Sequence, residues 1–400
     1  MSKLNQLIER LCPNGVEYIS LGDLFNTRNG YTPSKSKSEY WENGTIPWFR
    51  MEDIRENGRI LSDSSQHVSS TAVKGSLFPE NSIIVATSAT IGEHALLTVP
   101  SLANQRFTYL MIKEAYKDKF DMMFLYYYCF KLDSYCKECL NQGNFASVDM
   151  RKFVLFQFPI PPIEVQREIV RILDNFTELT AELTAELTAR KQQYEYFRDT
   201  LIEKHASAEK VMLNTVCEVY DGTHQTPEYT DEGVPFVSVE NINDLQNTAK
   251  FISEEAYAKF KIKPRPDDVF MTRIGSVGKC AVVQTNDDLA YYVSLALLRP
   301  NLAVLNSNYL KYYIESGLGK KELHKRILWT AVPLKINKED IGKLLIAIPP
   351  LEEQERIVSI LDRFDALCND ITAGLPAEIE ARQKQYEYYR DKLLTFTPAE

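Results

Sequence analysis

This chain is written twice, and every further reading has to respect that. Ile160-Pro161-Pro162-Ile163-Glu164-Val165-Gln166 runs on through Ile169-Val170 and Ile172-Leu173-Asp174 to Phe176. Ile348-Pro349-Pro350-Leu351-Glu352-Glu353-Gln354 runs on through Ile357-Val358 and Ile360-Leu361-Asp362 to Phe364, and 11 of 17 positions are identical at an offset of 188. A second block, Ala189-Arg190 with Gln193-Tyr194-Glu195-Tyr196 and Arg198-Asp199, returns at an offset of 192 as Ala381-Arg382 with Gln385-Tyr386-Glu387-Tyr388 and Arg390-Asp391. The segments ahead of these blocks match more faintly. Ile46-Pro47-Trp48 answers to Val234-Pro235-Phe236, and Glu52-Asp53-Ile54 to Glu240-Asn241-Ile242. The chain is a tandem of two units, each a variable globular part followed by a well-matched tail.

Charge follows the same division. Residues 1–159 carry 17 basic and 17 acidic side chains, and residues 210–347 carry 17 and 17 again. The net charge of −9 arises in 160–209, with 6 basic and 10 acidic, and in 348–400, with 6 and 11. An acidic total is the wrong sign for a nucleic-acid binder, but the excess sits in the tails. Four segments are expected: a globular domain over 1–159 with an N-terminal helical stretch, a helical spacer over 160–209, a second globular domain over 210–347 and a second spacer over 348–400.

Both tails read as long helices. A Pro-Pro pair opens each, where a missing N–H is tolerated. Apolar residues then recur in steps of three and four, from Val165 through Ile169, Ile172, Phe176, Leu179, Leu183 and Leu187 to Leu201, and from Ile357 through Ile360, Phe364, Leu367 and Ile371 to Leu393. One stripe sustained this far predicts a coiled-coil seam, the two helices pairing antiparallel, with a simple stabilising hairpin as the alternative. The first tail repeats Thr180-Ala181-Glu182-Leu183 as Thr184-Ala185-Glu186-Leu187. Each copy adds about 6 Å and about 40° of rotation to a helix. The second tail has Gly374-Leu375-Pro376 instead, which predicts a bend with Pro376 opening a new segment.

The globular parts mix strand-like runs, such as Ile83-Ile84-Val85-Ala86 and Val269-Phe270-Met271-Thr272, with helical pieces near Phe124–Tyr128 and Tyr309–Tyr313, so the class is α+β. Residues Met1 to Arg10 lack a leader-type apolar stretch, and the most apolar run, Met122–Phe130, is about half of what a bilayer needs. Seven cysteines fit a reducing cytoplasm. Cys136 and Cys139 form a lone CxxC without the second pair that zinc would need, and read as thiols on a helix. Gly275-Ser276-Val277-Gly278-Lys279 resembles a phosphate loop, but Arg273 and Cys280 stand where a glycine and a magnesium-binding hydroxyl are required. The five histidines form no metal or triad spacing. The expectation is a non-catalytic chain.

The repeated Pro-Pro helices, the Glu-Leu-Thr-Ala tetrapeptides and the Gln-Tyr-Glu-Tyr blocks resemble the specificity subunit of type I restriction-modification enzymes, of the IC-like subgroup. Asn29-Gly30-Tyr31-Thr32-Pro33 and Tyr40-Trp41-Glu42-Asn43-Gly44 look like the opening of a target recognition domain of that family. The resemblance implies two target recognition domains separated by two long antiparallel helices. Each domain would read one half of a split, asymmetric site in double-stranded DNA. The helices would set the gap and dock two modification subunits, with two restriction subunits completing the complex. S-adenosylmethionine, ATP and magnesium belong to those partners, and none is expected in this chain. The family's circular organisation, in which the N-terminal stretch completes the far helical region, finds an echo of Leu201-Ile202-Glu203-Lys204 in Leu7-Ile8-Glu9-Arg10. Two residues inserted before Thr226-Pro227 predict that the two domains read different half-sites. The alternative is an orphan DNA-binding or scaffold protein without a methyltransferase partner.

Direct readout uses Arg or Lys for guanine and Asn or Gln for adenine, on loops that reach base edges, while hydroxyls and backbone amides hold phosphates. In the first domain the candidates are Gly30, Tyr31, Thr32, Ser34, Lys35 and Lys37, then Arg50, Thr87, Ser88, Asn104, Gln105, Arg106 and Asn144. In the second they are Thr223, His224, Gln225, Ser238, Asn241, Arg273, Ser276, Lys279 and Trp329. Each has a turn-capping or solvated reading beside the functional one, and Gly30 and Gly222 have a purely geometric one. Trp48 and Phe236, each after a proline in a strand-like run, read as core. For docking the candidates are Arg190, Gln193, Tyr194, Tyr196 and Arg198, with Arg382, Gln385, Tyr386, Tyr388 and Arg390 as their repeats.

Overall fold

The computed structural model describes residues 3–141, 146–369 and 373–399, so Asn144 and Ile371 lie outside the described residues. The chain divides into two compact units, Met1–Ala181 with Glu380–Glu400, and Glu182–Ile379. These cuts differ from the charge blocks. Each globular part completes its core with a piece of both tails, so the boundary falls inside the first tail.

Both units are built on the same central sheet. In the first, Ser82–Ala86 lies between Phe107–Ile112 and His94–Leu97, with Phe25–Asn29 and Ile60–Leu61 at the edges. All of Ser82–Ala86 is buried, because the strand faces two cores. Side chains alternate along a strand. Ile83 and Val85 join Leu96 and Leu110 beneath the helix Met122–Glu138. Ile84 and Ala86 join Leu97, Phe107 and Tyr109 on the opposite face. In the second unit Leu295–Pro300 and Val269–Thr272 take the central places, between Cys217–Asp221 and Cys280–Val282. Val269 and Met271 face the helix side, and Phe270 the other. A small three-stranded sheet repeats as well. Ile46–Phe49 runs antiparallel to His67–Val68 and parallel to Leu102–Ala103, as Val234–Val237 does to Phe251–Ile252 and Ala290–Tyr291. Trp48 and Phe236 are core residues at 3% and 1% exposure, as expected. The class is α+β.

The tails start where their prolines predict. Ile163–Glu203 is one helix of 41 residues, and Leu351–Asn369 and Leu375–Leu393 are separate helices, with Pro376 in the first turn of the latter. In unit 1, Phe176 of the long helix stacks on Tyr389 at 5.6 Å. In unit 2, Phe197 stacks on Phe364 at 5.5 Å. The two contacts are the same pair under the internal repeat. Descending from Phe197 through Tyr194 to Lys191, the long helix meets Phe364, Asp365 and Cys368 in ascending order, so the pairing is antiparallel. The stripe is deeply buried only near the globular parts, at Val165, Ile169 and Leu173 and again at Leu201 and Ile202. Between them Phe176, Leu183 and Leu187 are half-buried and Leu179 is 36% exposed, since two helices cover only one side of each other.

A glutamine in each copy fixes tail to globular part. Gln166 accepts a hydrogen bond from the Asp121 backbone N–H at 2.8 Å and donates to the carbonyls of Lys119 (2.8 Å) and Pro161 (2.7 Å). Gln354 accepts from the Asn306 N–H at 2.9 Å and donates to Val304 (2.9 Å) and Pro349 (2.8 Å). Next to each clamp a tyrosine hydroxyl donates to a tail aspartate at 2.6 Å, Tyr127 to Asp174 and Tyr312 to Asp362. The chain also closes on itself within unit 1. The Val16 N–H bonds the Thr397 carbonyl at 2.9 Å, Tyr18 donates to the Phe396 carbonyl at 3.0 Å, and Leu4 and Leu394 share one core.

Among the described residues no helix is long and apolar enough to cross a membrane and no cluster of His, Cys, Asp or Glu could hold a metal ion. Cys136 and Cys139 are buried free thiols, one near the end of the helix Met122–Glu138 and one at its C-cap.

Candidate nucleic-acid interface

The first-unit candidates converge at one end of the central sheet. Strand Phe25–Asn29 ends at Gly30, whose N–H bonds the Phe107 carbonyl at 2.9 Å, and the Tyr31 N–H bonds Ala103 at 2.7 Å. A Cβ on Gly30 would lie 2.3 Å from the Asn104 carbonyl oxygen and 2.4 Å from that of Ala103. The glycine is therefore required by close backbone approach, and its contribution is geometric. Gly222 repeats it, with a Cβ that would fall 2.5 Å from the Tyr292 carbonyl. The loop then presents Ser34, Lys35 and Lys37 to solvent. Thr32 hydrogen-bonds the exposed Gln105, while Tyr31 is anchored by its hydroxyl to the Ala72 carbonyl and the Lys74 N–H. The Lys37 ammonium donates to the Tyr40 hydroxyl at 3.1 Å, which raises its pKa and keeps it cationic.

Asn104, Gln105 and Arg106 form the adjoining turn. Asn104 is a turn cap, its Oδ1 accepting from the Arg106 N–H at 2.9 Å, which leaves Gln105 and Arg106 exposed. The Thr87 N–H bonds the Arg106 carbonyl at 2.9 Å, bringing half-buried Ser88 to the same end. Thr87 itself is a correction. It is 8% exposed, and its hydroxyl is held by Thr108, which in turn donates to Asn29. Arg50 caps the helix Met51–Asn57 and reaches Ser65 at 2.9 Å, half-buried beside the ring of Trp48.

The second unit repeats the geometry with different side chains. Thr223 caps its own loop through the Gln225 carbonyl at 3.0 Å, leaving His224 and Gln225 exposed. Three candidates turn out to be scaffolding. Ser238 and Asn241 cap one short turn, the Ser238 N–H donating to Asn241 Oδ1 at 3.1 Å and Asn241 bonding the Asn247 carbonyl at 2.9 Å. Arg273 is 8% exposed, ion-paired with Asp221 and donating to the Ile336 carbonyl at 3.2 Å. Its burial pushes the guanidinium pKa down from its usual value. Arg273 thus ties the recognition loop to a hairpin, Leu328 to Lys335, and a buried paired cation is not available to a phosphate. Ser276, Lys279 and Trp329 are exposed around the same end. The offset of 188 also picks out residues not singled out in the sequence. Asn104-Gln105-Arg106 corresponds to Tyr292-Val293-Ser294, whose Ser294 carbonyl accepts from the Arg273 N–H as that of Arg106 does from Thr87.

The docking candidates separate into two sets. Tyr194 and Arg198 are core residues of unit 2, at 6% and 5% exposure, and burial pushes the Tyr194 phenol well up. Tyr386 packs against the core of unit 1, and Arg390 lies over the Phe130 ring at 4.3 Å. These residues hold the tails in place and do not form a free surface. Tyr196 and Tyr388 stand out at 67% and 62% exposure. In the turns just before them Arg190 donates to Gln193 at 3.1 Å and Arg382 to Gln385 at 3.2 Å, so one exposed pattern appears twice.

A family model described as the type I restriction modification DNA specificity domain matches residues 13–190 and again 207–381. The chain belongs to this family. Among specificity subunits of type I restriction enzymes, that of EcoprrI from Escherichia coli is 42% identical over 398 residues, 93% of each chain. That of EcoR124I/EcoR124II, also from Escherichia coli, is 32% identical over 72% of this chain and 74% of its own. A solved structure from work on complex assembly and conformational transition of the type I R-M system superimposes with a TM-score of 0.65 at 22% identity, covering 96% of this chain and 98% of that one. The S subunit from M. genitalium gives 0.51 at 14% identity over 95% of each chain. At these identities the likeness concerns the fold. Within a specificity-subunit fold, the duplicated loop ends present different exposed side chains in the two copies, Gln105 and Arg106 against His224 and Gln225.

Proposed function

We propose that this chain is the non-catalytic DNA-recognition subunit of a cytoplasmic type I restriction-modification complex. Each unit reads one half of a bipartite, asymmetric site. One observation carries the reading: the same sheet end is built twice, with Gly30 and Gly222 closing it identically, while the side chains offered there differ. Gln105 and Arg106 are exposed in the first unit, whereas Val293 and Ser294 at those places in the second are half-buried and buried, and His224 and Gln225 are exposed there instead. Identical frames with different donors are what two different half-sites require.

Two copies of the Arg-x-x-Gln-x-x-Tyr surface, ending in Tyr196 and Tyr388, suit two copies of one modification subunit. S-adenosylmethionine would bind in those subunits, and ATP with magnesium in two restriction subunits. The test is methylome sequencing of cells that express the chain with its methyltransferase partner. The expected result is a methylated adenine in a split motif. A stable complex that methylates no such motif, together with no salt-dependent binding of the chain to duplex DNA, would overturn the reading.

A further inference from the structure

The hairpin that Arg273 ties to the recognition loop has a composition unlike the rest of that surface. Its neck is hydrogen-bonded, the Leu328 N–H to the Lys335 carbonyl at 2.8 Å and the Gly275 N–H to the Leu334 carbonyl at 2.8 Å. The Ala331 N–H closes a turn on the Leu328 carbonyl at 3.2 Å. The tip between is apolar and projects. Val332 is 99% exposed, the most of any large apolar residue among the described residues, and Trp329 is 52% exposed. The indole is fixed, its Nε1 donating to the His324 carbonyl at 3.0 Å and its ring lying 4.5 Å from the imidazole of His324.

Charge indicates the occupant. The chain is acidic overall, yet residues 323–337 contain no Asp or Glu; Glu322 just before them pairs with Lys325 and, at 3.8 Å, with Arg326, so the surplus positive charge near the hairpin comes from Lys335 and the adjoining lysines. Lys325 and Lys335 are exposed, as are Lys279 on the adjoining loop and Lys320 and Lys321 in the preceding helix Gly317–His324. An exposed apolar point on a segment with a surplus of exposed cations suits a polyanion with an apolar interior, which is duplex DNA. Proteins that deform DNA insert such side chains between base steps.

We propose that the Leu328–Lys335 hairpin drives Val332, braced by Trp329, into a base step at or beside the half-site read by the second unit. The inference rests on the DNA-recognition reading and adds a second mode of selection to it. Pyrimidine–purine steps unstack most easily. A TA or CA/TG step would therefore be preferred at a position where no side chain hydrogen-bonds the bases.

The experiment uses the full chain, without partner subunits, on a duplex carrying the motif found by methylome sequencing. Permanganate and diethyl pyrocarbonate probe unstacked pyrimidines and purines in the complex. The wild-type chain is expected to make one step hyperreactive, and Val332→Ala to return it to the free-duplex level. Affinity should fall about tenfold, as removal of two methyl-sized groups from an apolar contact implies. Val332→Ile retains the hyperreactive step, and Trp329→Ala weakens it. Val332 touches no core, so its variants keep the wild-type melting temperature. Salt-dependent binding with no hyperreactive step, or with one that Val332→Ala leaves intact, overturns the wedge alone. Unchanged DNA probing in Val332→Ala, together with loss of co-purification in a separate pull-down from cells that also express the modification subunit, makes the hairpin a protein contact and also overturns it. Absence of salt-dependent binding removes the wedge and the DNA reading together.

Discussion

Replacing Gln166 by Leu tests how the tails are fixed to the globular parts. Gln166 is fully buried and makes three hydrogen bonds to main-chain groups that have lost water on folding. Leucine fills a similar volume and satisfies none of them. The Pro161 carbonyl is buried and the other two bonds are part-buried. An unsatisfied buried group costs about 1–3 kcal/mol, and a partly wet one about 1 kcal/mol. The sum is about 3–5 kcal/mol, and in a unit of this size each kcal/mol moves the melting temperature by about 2–4 °C. Scanning calorimetry should therefore show a loss of about 10 °C for Gln166→Leu. The same loss is expected for Gln354→Leu, whose bonds repeat the pattern. The effects should add in the double variant, because the sites share no partner. A loss below about 2 °C for either single change would refute the clamp.

Four further outcomes are expected. Arg273→Met leaves Asp221 without its cation and should cost about 2 kcal/mol by urea denaturation, while lowering methylation only at motifs whose second half-site is read by unit 2; unchanged stability would count against the buried pair. Arg171 and Lys3 hold the Glu168 carboxyl down at about 2, below its usual 4.5. A depressed carboxylate stabilises above its unfolded value, so this contribution is present above pH 4.5 and is lost as the pH falls towards 2. With its exposed partners screened by water it amounts to about 1 kcal/mol, and Glu168→Gln should flatten the acid limb of the melting profile; a parallel curve would argue against it. Gly30→Ala forces the Asn104 backbone aside, at about 2–3 kcal/mol, and should abolish readout of the first half-site by methylome sequencing while sparing the second. Deleting Thr184–Leu187 shortens the helix by about 6 Å and turns it by about 40°, close to the twist of one base pair. The methylated motif should lose one spacer base pair, and an unchanged motif would sink the idea that the helix sets the gap.

The sequence by itself determined the duplication, the helix starts just after Pro162 and Pro350, the break before Pro376, and the burial of Trp48 and Phe236. Those features follow from local rules: proline's missing donor, apolar spacing, and the alternation of a strand. It also showed that a glutamine stands at the same place in both copies, without saying what Gln166 holds, because Asp121 and Lys119 reach it only through the folded helix packing. Tertiary structure alone decided which polar residues face outward. Arg273 looked like a DNA contact until Asp221, 52 residues earlier, was found to neutralise it. Tyr194 and Arg198 looked like docking residues until the fold enclosed them, while Tyr196, two positions on from Tyr194, remained in water. Thr87 followed the same course, with Thr108 and Asn29 taking its hydroxyl. Polar side chains do not carry their exposure in their spacing. It depends on which distant strand or helix lands beside them, and only the folded chain specifies that.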